Sequence, residues 1–337
     1  MTLATFAAPR RAEKLPVTLV TGFLGSGKTT LVNHILSNRA GVRAAVLVNE
    51  LGEIGIDNDL IVAAENGMIE LSNGCICCST NSDLLDSIVR VLSRPDPVDH
   101  ILVETTGVAD PLPVARTFQR PEFREALRLD AILAVADAEQ FSLDLFDDHA
   151  VRSQLRHADA ILVNKCDRVD EQRLDSVEEK IRTVNPEARL LRTTQSAAPL
   201  PLILDVDLHR PASGGPGHHH HVHLDHDGFV SLSFESDRPF SVTRFQEFLD
   251  NRPPGLFRGK GFLRLAETGK RYVFHLVGSR FSLDEDRSAT GANRLVLIGR
   301  RLDIEDLRMQ LSHCLIAGSA PLRGAHVLPD RARPARS

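Results

Sequence analysis

The sequence predicts an α/β protein whose parallel sheet has helices on both faces, followed by a smaller α+β domain. Over the first 205 residues, five apolar segments alternate with helix-like stretches, which is typical of strands buried in a parallel sheet. After residue 228 the pattern changes, because Val230, Leu232 and Phe234 alternate with polar residues in "FVSLSFE". Such alternation favours an antiparallel sheet with one exposed face.

The individual elements follow from these two patterns. In the first domain we predict strands at "LPVTLVTG", "VRAAVLVNE", "HILVETTG", "LDAILAVAD" and "ADAILVNKCD". In the second we predict further strands at "GFLRLA", "RYVFHLV" and "RLVLIGR", and helices at "SVTRFQEFLD" and "DIEDLRMQLSHCL". The predicted organisation is a flexible N-terminus at 1–15, an α/β domain at 16–205, a His-rich linker at 206–228, an α+β domain at 229–318 and a disordered tail at 319–337.

Composition and charge narrow the class of protein. The 337 residues carry a formal net charge of −5, with 42% hydrophobic and 25% charged residues, a balance that predicts a globular protein without affinity for nucleic acid or anionic membranes. The N-terminal residues lack an apolar signal region, and no later run approaches the ~18 apolar residues of a membrane span. We therefore expect a cytoplasmic protein, in which clustered cysteines indicate metal or redox chemistry.

A phosphate-binding loop follows the first strand. The segment "GFLGSGKTT" fits G-x-x-x-x-G-K-[ST], and the predicted helix after it supplies the context that this motif requires. A dinucleotide fingerprint would need glycine at Thr30. In such a loop Lys28 reaches the β- and γ-phosphates, and Thr29 is a ligand of Mg²⁺. The predicted phosphate-binding residues are Gly22, Phe23, Leu24, Gly25, Ser26, Gly27, Lys28, Thr29 and Thr30.

The identity of the base is predicted by an N-K-x-D segment formed by Asn164, Lys165 and Asp167. An ionised aspartate only accepts hydrogen bonds, so Asp167 suits the two donors at N1 and N2 of guanine. A site built for those donors rejects adenine. The predicted nucleotide is therefore GTP.

A third segment, "HILVETTG", places Glu104 at the end of a strand with Gly107 three residues later. The acid can hold Mg²⁺ through a water, and the N–H of the glycine can approach the γ-phosphate, as in the switch regions of GTPases. The predicted catalytic residues are thus Lys28, Thr29, Glu104 and Gly107.

Three of the five cysteines lie in the segment "NGCICC". Thiolates bind zinc and similar metals, but a closed tetrahedral site needs further ligands, which the polar segment "NELGEIGID" offers. Two alternatives stay open, namely small cysteines packed in a core and a redox thiol pair. The predicted metal ligands are Cys75, Cys77, Cys78, Glu50, Glu53 and Asp57, with Thr29 for Mg²⁺.

The linker holds seven of the fourteen histidines, at positions 209, 218, 219, 220, 221, 223 and 226. Imidazoles on a flexible tether can collect Zn²⁺, Co²⁺ or Ni²⁺ weakly. The alternative is a soluble spacer whose histidines are incidental.

Five segments follow one another along the chain in the order "GFLGSGKTT", "NELGEIGID", "NGCICC", "VETTGVADP" and "NKCD". This order resembles the CobW family of metallochaperone GTPases, which are relatives of the nickel-insertion GTPases of urease and hydrogenase. The resemblance covers residues 16 to about 318 and implies a CobW-like C-terminal domain. It also implies GTP hydrolysis coupled to the binding and delivery of Zn²⁺, or of cobalt or another transition metal in some branches. Val48 stands where some members carry an acidic residue, so a ligand at that position is not carried over.

The leading hypothesis is a Mg²⁺-dependent GTPase that loads a transition metal, zinc in the first place, onto a client protein. One rival is a metal store or sensor in which GTP only gates the affinity for the metal. Another is a cobalt-handling protein of cobalamin biosynthesis. A further rival is a GTPase associated with nucleic acid, which the acidic net charge disfavours. The expected partners are GTP and GDP, a transition-metal ion and a client metalloprotein, with a homodimer left open.

Overall fold

A computed structural model describes residues 14–38, 43–49, 81–142, 149–205, 229–286 and 291–316. The chain divides into two compact units, Met1–Leu208 and His209–Ser337. The predicted linker and C-terminal tail lie outside the described residues, and the domain bounds given above stay a prediction. Among the helices of the described ranges, none has the length and hydropathy of a membrane-spanning segment.

The first unit alternates strands with helices. Its strands are β1 (Leu15–Gly22), β2 (Ala44–Asn49), β3 (His100–Thr105), β4 (Leu127–Asp137), β5 (Ala160–Asn164) and β6 (Arg189–Arg192). Its helices are α1 (Lys28–Asn38), α2 (Asn81–Leu92), α3 (Pro111–Thr117), α4 (His149–Arg156), α5 (Glu171–Val184) and α6 (Leu200–Ile203).

These six strands form one parallel sheet in the order β2-β3-β1-β4-β5-β6. The five strands predicted from apolar runs are all present, and β6 is an addition. Because these strands are all parallel, the carboxyl ends of β1, β3 and β5 lie at one edge of the sheet, where ligands of open α/β folds bind.

Both faces of this sheet are buried. Val17 and Leu19 of β1 belong to one apolar cluster with residues of α2 and α3. Thr18 and Val20 point to the opposite face and are likewise fully buried, because successive residues of a strand alternate in direction. Burial on both sides explains why the strands read as continuous apolar runs, and the predicted α/β fold class is confirmed.

The second unit is built on an antiparallel sheet. Its strands are β7 (Phe229–Ser236), β8 (Leu256–Arg264), β9 (Arg271–Val277), β10 (Arg280–Glu285) and β11 (Asn293–Arg300), and its helices are α7 (Val242–Asp250) and α8 (Ile304–His313). The strand order is β10-β9-β8-β11-β7. The sequence did not predict β10, and β8 begins five residues before the predicted "GFLRLA" segment.

A cluster of phenylalanines fills the core of the second unit. Phe245 of α7 is fully buried, and its ring centroid lies 5.2 Å from that of Phe240 and 5.3 Å from that of Phe274. Both pairs are edge-on, a favourable arrangement for aromatic rings. Tyr272 of β9 is buried in the same cluster. The unit thus has its own hydrophobic core, as expected of a separate domain.

Candidate nucleotide site

The loop between β1 and α1 is closed around one carbonyl group. The Nζ atom of Lys28 donates to the Phe23 carbonyl oxygen at 3.1 Å, and the Ser26 backbone N–H donates to the same oxygen at 3.3 Å. Leu24, at the outer tip, is 59% exposed, whereas Lys28 is 8% exposed. The first N–H groups of a helix point out of its N-terminal end, so the start of α1 is suitable for phosphate.

The loop fits a phosphate group in two further respects. Gly27 has φ +109°, and a Cβ atom at this position would lie 2.4 Å from Nδ2 of Asn164, so only glycine fits. The hydroxyl of Ser26 is buried and has no hydrogen-bond partner among the described residues. Buried polar atoms are seldom left in this state, and a phosphate oxygen would supply an acceptor.

The remaining loop residues have defined places. Gly22 is the last residue of β1. Gly25 has φ +69° in the turn, and Thr30 is exposed in the first turn of α1.

The hydroxyl of Thr29 and the carboxylate of Glu104 meet at the carboxyl ends of β1 and β3. Thr29 Oγ1 donates to Glu104 Oε1 at 2.9 Å, and Glu104 is 4% exposed. The parallel register pairs Val20 with Glu104, which fixes the acid beside the loop. A hydroxyl with a carboxylate is a donor set that suits Mg²⁺.

The loop after β3 lies directly on the phosphate-binding loop. A Cβ atom on Gly107 would be 2.6 Å from the backbone N of Leu24. On its other side the loop contacts α4, where Gln154 Nε2 donates to the carbonyl oxygens of Gly107 at 3.1 Å and Ala109 at 3.0 Å. The sequence motifs gave no indication of Gln154.

Asn164 connects the base motif to the phosphate loop. Its Nδ2 atom donates to the Ser26 carbonyl oxygen at 2.9 Å, and its Oδ1 atom accepts from the backbone N–H of Ser196 at 2.8 Å. Ser196, which no motif predicted, is fully buried and donates from Oγ to the Gly27 carbonyl oxygen at 3.0 Å. The side chain of Asn164 therefore holds two loops together.

The next residues of the motif differ in exposure. Lys165 adopts a left-handed conformation with φ 61°, and its Nζ atom forms an ion pair of 2.6 Å with Asp137 at the end of β4. Asp167 lies in a short 3-10 turn, Cys166–Arg168, and is exposed. Burial raises the pKa of the Cys166 thiol, and its Sγ atom donates to the Val163 carbonyl oxygen at 3.1 Å. Both observations agree with a thiol that packs against β5.

All predicted ligands of the transition metal lie outside the described residues, namely Glu50, Glu53, Asp57, Cys75, Cys77 and Cys78. The linker histidines also lie outside them. In the part of the chain that the structure describes, no three His, Cys, Asp or Glu side chains are grouped so that they could hold a metal ion.

Comparisons with known proteins identify both units. Residues 16–192 match the family model described as "CobW/HypB/UreG, nucleotide-binding domain". Residues 229–315 match the "Cobalamin synthesis protein cobW C-terminal domain".

Relatives cover most of the chain. The zinc chaperone CobW of Pseudomonas aeruginosa is 33% identical over 372 aligned positions, which span 93% of this chain and 97% of that protein. The zinc-regulated GTPase metalloprotein activator 1 of Dictyostelium discoideum is 35% identical, and the match spans 77% of this chain and 65% of that protein. The crystal structure of the Zn(II)-bound YjiA GTPase from E. coli is 26% identical and covers 90% of this chain and 99% of that one, with a TM-score of 0.42. This chain belongs to the CobW/HypB/UreG family, and it carries the nucleotide site of a GTP hydrolase.

Proposed function

We propose that this protein is a Mg²⁺-dependent GTPase that couples GTP binding and hydrolysis to the binding of zinc and its delivery to a client protein. Support comes from the family membership, from the names of relatives that are called zinc chaperones, and from the geometry at the ends of β2 and β3. We further propose that it acts in the cytosol, where the cysteine thiols stay reduced.

The proposed coupling of metal binding to nucleotide binding rests on the pairing of β2 with β3. Strand β2 lies in parallel register with β3, so that Val48 pairs with Glu104 and Asn49 with Thr105. The first predicted metal ligand of the segment "NELGEIGID", Glu50, follows this pair immediately in sequence. Thr105 in turn donates from Oγ1 to Oγ1 of Thr21 at 3.0 Å. The backbone that leads to the cysteines is thereby joined to the backbone that leads to the phosphate loop.

The described residues have separate roles in this proposal. Lys28 exchanges the Phe23 carbonyl oxygen for phosphate oxygens, and the ammonium group neutralises charge on the β- and γ-phosphates. Thr29 and Glu104 would hold Mg²⁺, which when bound neutralises charge on the phosphates during transfer. The N–H of Gly107 binds the γ-phosphate, and Asp167 binds the base.

The proposal is tested by measuring Zn²⁺ affinity by competition with a chromophoric chelator, without nucleotide, with GDP and with a non-hydrolysable GTP analogue. By reciprocity, a metal that favours one nucleotide state is itself bound differently in that state, typically by about 5- to 150-fold. We expect Cys77→Ser to abolish tight metal binding while GTP binding survives. Lys28→Ala should keep the metal but lose the response to GTP.

The matched control is Cys314→Ser, which removes a thiol from the second unit and should change neither measurement. Equal Zn²⁺ affinity in all three nucleotide states would contradict the coupling. Negligible GTP turnover with metal and client present would favour a GTP-gated store. Metal analysis of the untagged protein distinguishes zinc from cobalt.

A further inference from the structure

Helix α4 holds the loop that follows Glu104 through three hydrogen bonds. Gln154 Nε2 donates to the carbonyl oxygens of Gly107 and Ala109, at 3.1 and 3.0 Å. One residue earlier, Ser153 Oγ donates to Asp110 Oδ1 at 2.6 Å. Asp110 also accepts from the backbone N–H of Leu112 at 3.0 Å and caps α3. The loop is thus attached to α4 at both ends of the segment 107–110.

The orientation of the Gln154 amide follows from its surroundings. A flipped amide would direct its oxygen at two carbonyl oxygens, so the NH₂ group must face the loop. The side chain is 1% exposed, and its Oε1 atom has no hydrogen-bond partner among the described residues. A buried acceptor in this state is costly, and an apolar side chain would avoid that cost. The amide at this position is therefore explained by its bonds to the loop and not by packing.

The opposite side of the same loop is limited by the phosphate-binding loop. Gly107 leaves no space for a Cβ atom, which would lie 2.6 Å from both the backbone N and the Cδ2 atom of Leu24. The backbone of Ala109 closes a turn by donating to the Thr106 carbonyl oxygen at 3.1 Å. The loop is consequently confined between Leu24 on one side and Gln154 on the other, beside the place where the γ-phosphate of GTP would bind.

We propose that Gln154 is a positioning residue for γ-phosphate recognition, and that it sets how strongly the protein prefers GTP over GDP. By fixing the carbonyl groups of Gly107 and Ala109, the amide holds the N–H of Gly107 in place before the nucleotide binds. GDP has no group that reaches Gly107, so its binding does not depend on the loop. The inference rests on the proposed GTPase function and adds the residue that prepares the site for its triphosphate.

The test compares Gln154→Met with the full-length wild type by isothermal calorimetry of GDP and of a non-hydrolysable GTP analogue. Methionine keeps the length and the apolar stem of the side chain but removes both hydrogen bonds. We expect the affinity for the GTP analogue to fall roughly tenfold, as for the loss of one or two net hydrogen bonds, while the affinity for GDP stays the same. In turnover experiments KM for GTP should rise as well.

Two further variants keep the test decisive. Ser153→Ala removes only the bond to Asp110 and should lower the preference for GTP in the same direction, so the inference remains testable if Gln154→Met fails to fold. The control is Asn185→Leu, because the amide of Asn185 is also buried and donates to two carbonyl oxygens, those of Leu155 at 2.7 Å and Ala158 at 3.0 Å. These two bonds hold the C-terminal end of α4, away from the segment 107–110. We therefore expect Asn185→Leu to lower the free energy of unfolding without changing the ratio of the affinities for GDP and the GTP analogue.

An equal loss of GDP and GTP-analogue affinity in Gln154→Met, or an unchanged ratio in both Gln154→Met and Ser153→Ala, would overturn the positioning role. A wild-type protein that binds neither nucleotide would instead refute the proposed function.

Discussion

The Nδ2 atom of Asn164 donates to the carbonyl oxygen of Ser26 at 2.9 Å, across 138 positions of sequence. This bond joins the end of β5 to the phosphate-binding loop, and the Oδ1 atom of the same side chain accepts from the Ser196 N–H. One buried amide therefore connects the two segments that are predicted to bind the phosphates and the base.

Replacing Asn164 with aspartate should weaken GDP and GTP binding equally. The new carboxylate would face the Ser26 carbonyl oxygen without a hydrogen to donate, a loss of about 1–3 kcal/mol for a buried group left unpaired. Calorimetry with each nucleotide measures the effect. The control is Asn293→Asp, since Asn293 is a similarly buried amide that donates to the Ser236 carbonyl oxygen at 2.8 Å in the second unit. Nucleotide affinities that fall as far in the control would contradict the linking role of Asn164.

Asp167→Asn should change the preferred base. Asparagine offers a donor where guanine needs an acceptor, so GTP binding should weaken by about 1.5–3 kcal/mol. Xanthosine triphosphate has an oxygen in place of the 2-amino group of guanine, and its binding should strengthen. Competition between the two nucleotides for a labelled GDP measures the preference. Asp170→Asn is the matched control, because Asp170 caps α5 by accepting from the Arg173 N–H at 2.8 Å and asparagine caps equally well. An unchanged preference in Asp167→Asn would remove the residue from base recognition.

Glu104→Gln should raise the Mg²⁺ concentration needed for half-maximal GTP hydrolysis by about 10- to 100-fold, the range found when metal-site partners are altered. Glutamine can still accept the hydrogen bond from Thr29, so the change removes the negative charge and keeps the local contact. A titration of hydrolysis with Mg²⁺ provides the measurement, with Glu139→Gln, at an exposed acid, as control. The role assigned to Glu104 does not survive if both variants show the wild-type Mg²⁺ dependence.

The stability of the second unit should depend on Cys314 at alkaline pH. Burial raises the pKa of this thiol from 9.0 to about 11, and its Sγ atom donates to the Gln310 carbonyl oxygen at 3.2 Å. Above about pH 9 the unfolded chain releases the proton while the folded chain keeps it, so this stabilisation is complete below about pH 9 and is lost as the pH rises through about 11.

Two pKa units correspond to about 2–3 kcal/mol at most. We therefore expect the free energy of unfolding of the wild type to fall more steeply between about pH 9 and pH 11 than that of Cys314→Ala. Urea titrations followed by circular dichroism provide the comparison. The control is Ser312→Ala, which removes an exposed hydroxyl from helix α8 and should leave the pH dependence of the wild type unchanged. Parallel curves for the wild type and Cys314→Ala would contradict the assignment.

The sequence predicts the elements that are buried on both faces better than those at the edges. β1 coincides with the predicted "LPVTLVTG" from end to end, because every residue in a central parallel strand must be apolar or small. β6 reads "RLLR", four residues with arginine at both ends, so it contains no apolar run of the length seen in β1. β10, "RFSLDE", is an edge strand with few apolar residues. Short or exposed strands leave too little hydrophobic pattern to be recognised.

The residues of the candidate site also differ in how well the sequence predicts them. Lys28 and Thr29 are predicted by the G-x-x-x-x-G-K-[ST] motif and Glu104 by its position at the end of a strand. Parallel strands bring such ends to one edge of the sheet. Gln154 and Ser196 were missed, since each acts through contacts with residues 47 and 32 positions away. Glutamine on a helix and serine in a loop are common on protein surfaces. Gln154 and Ser196 differ from other residues of these types only in the contacts that they make in the folded chain.

The single tyrosine gives the second unit a spectroscopic label of its own. The chain contains no tryptophan and one tyrosine, and Tyr272 lies among the phenylalanines of the second unit's core. Intrinsic emission excited at the tyrosine band therefore arises from that unit, whereas a fluorescent nucleotide reports on the first. Recording both signals during one denaturation would show whether the two units unfold together or separately, without any engineered probe in the polypeptide.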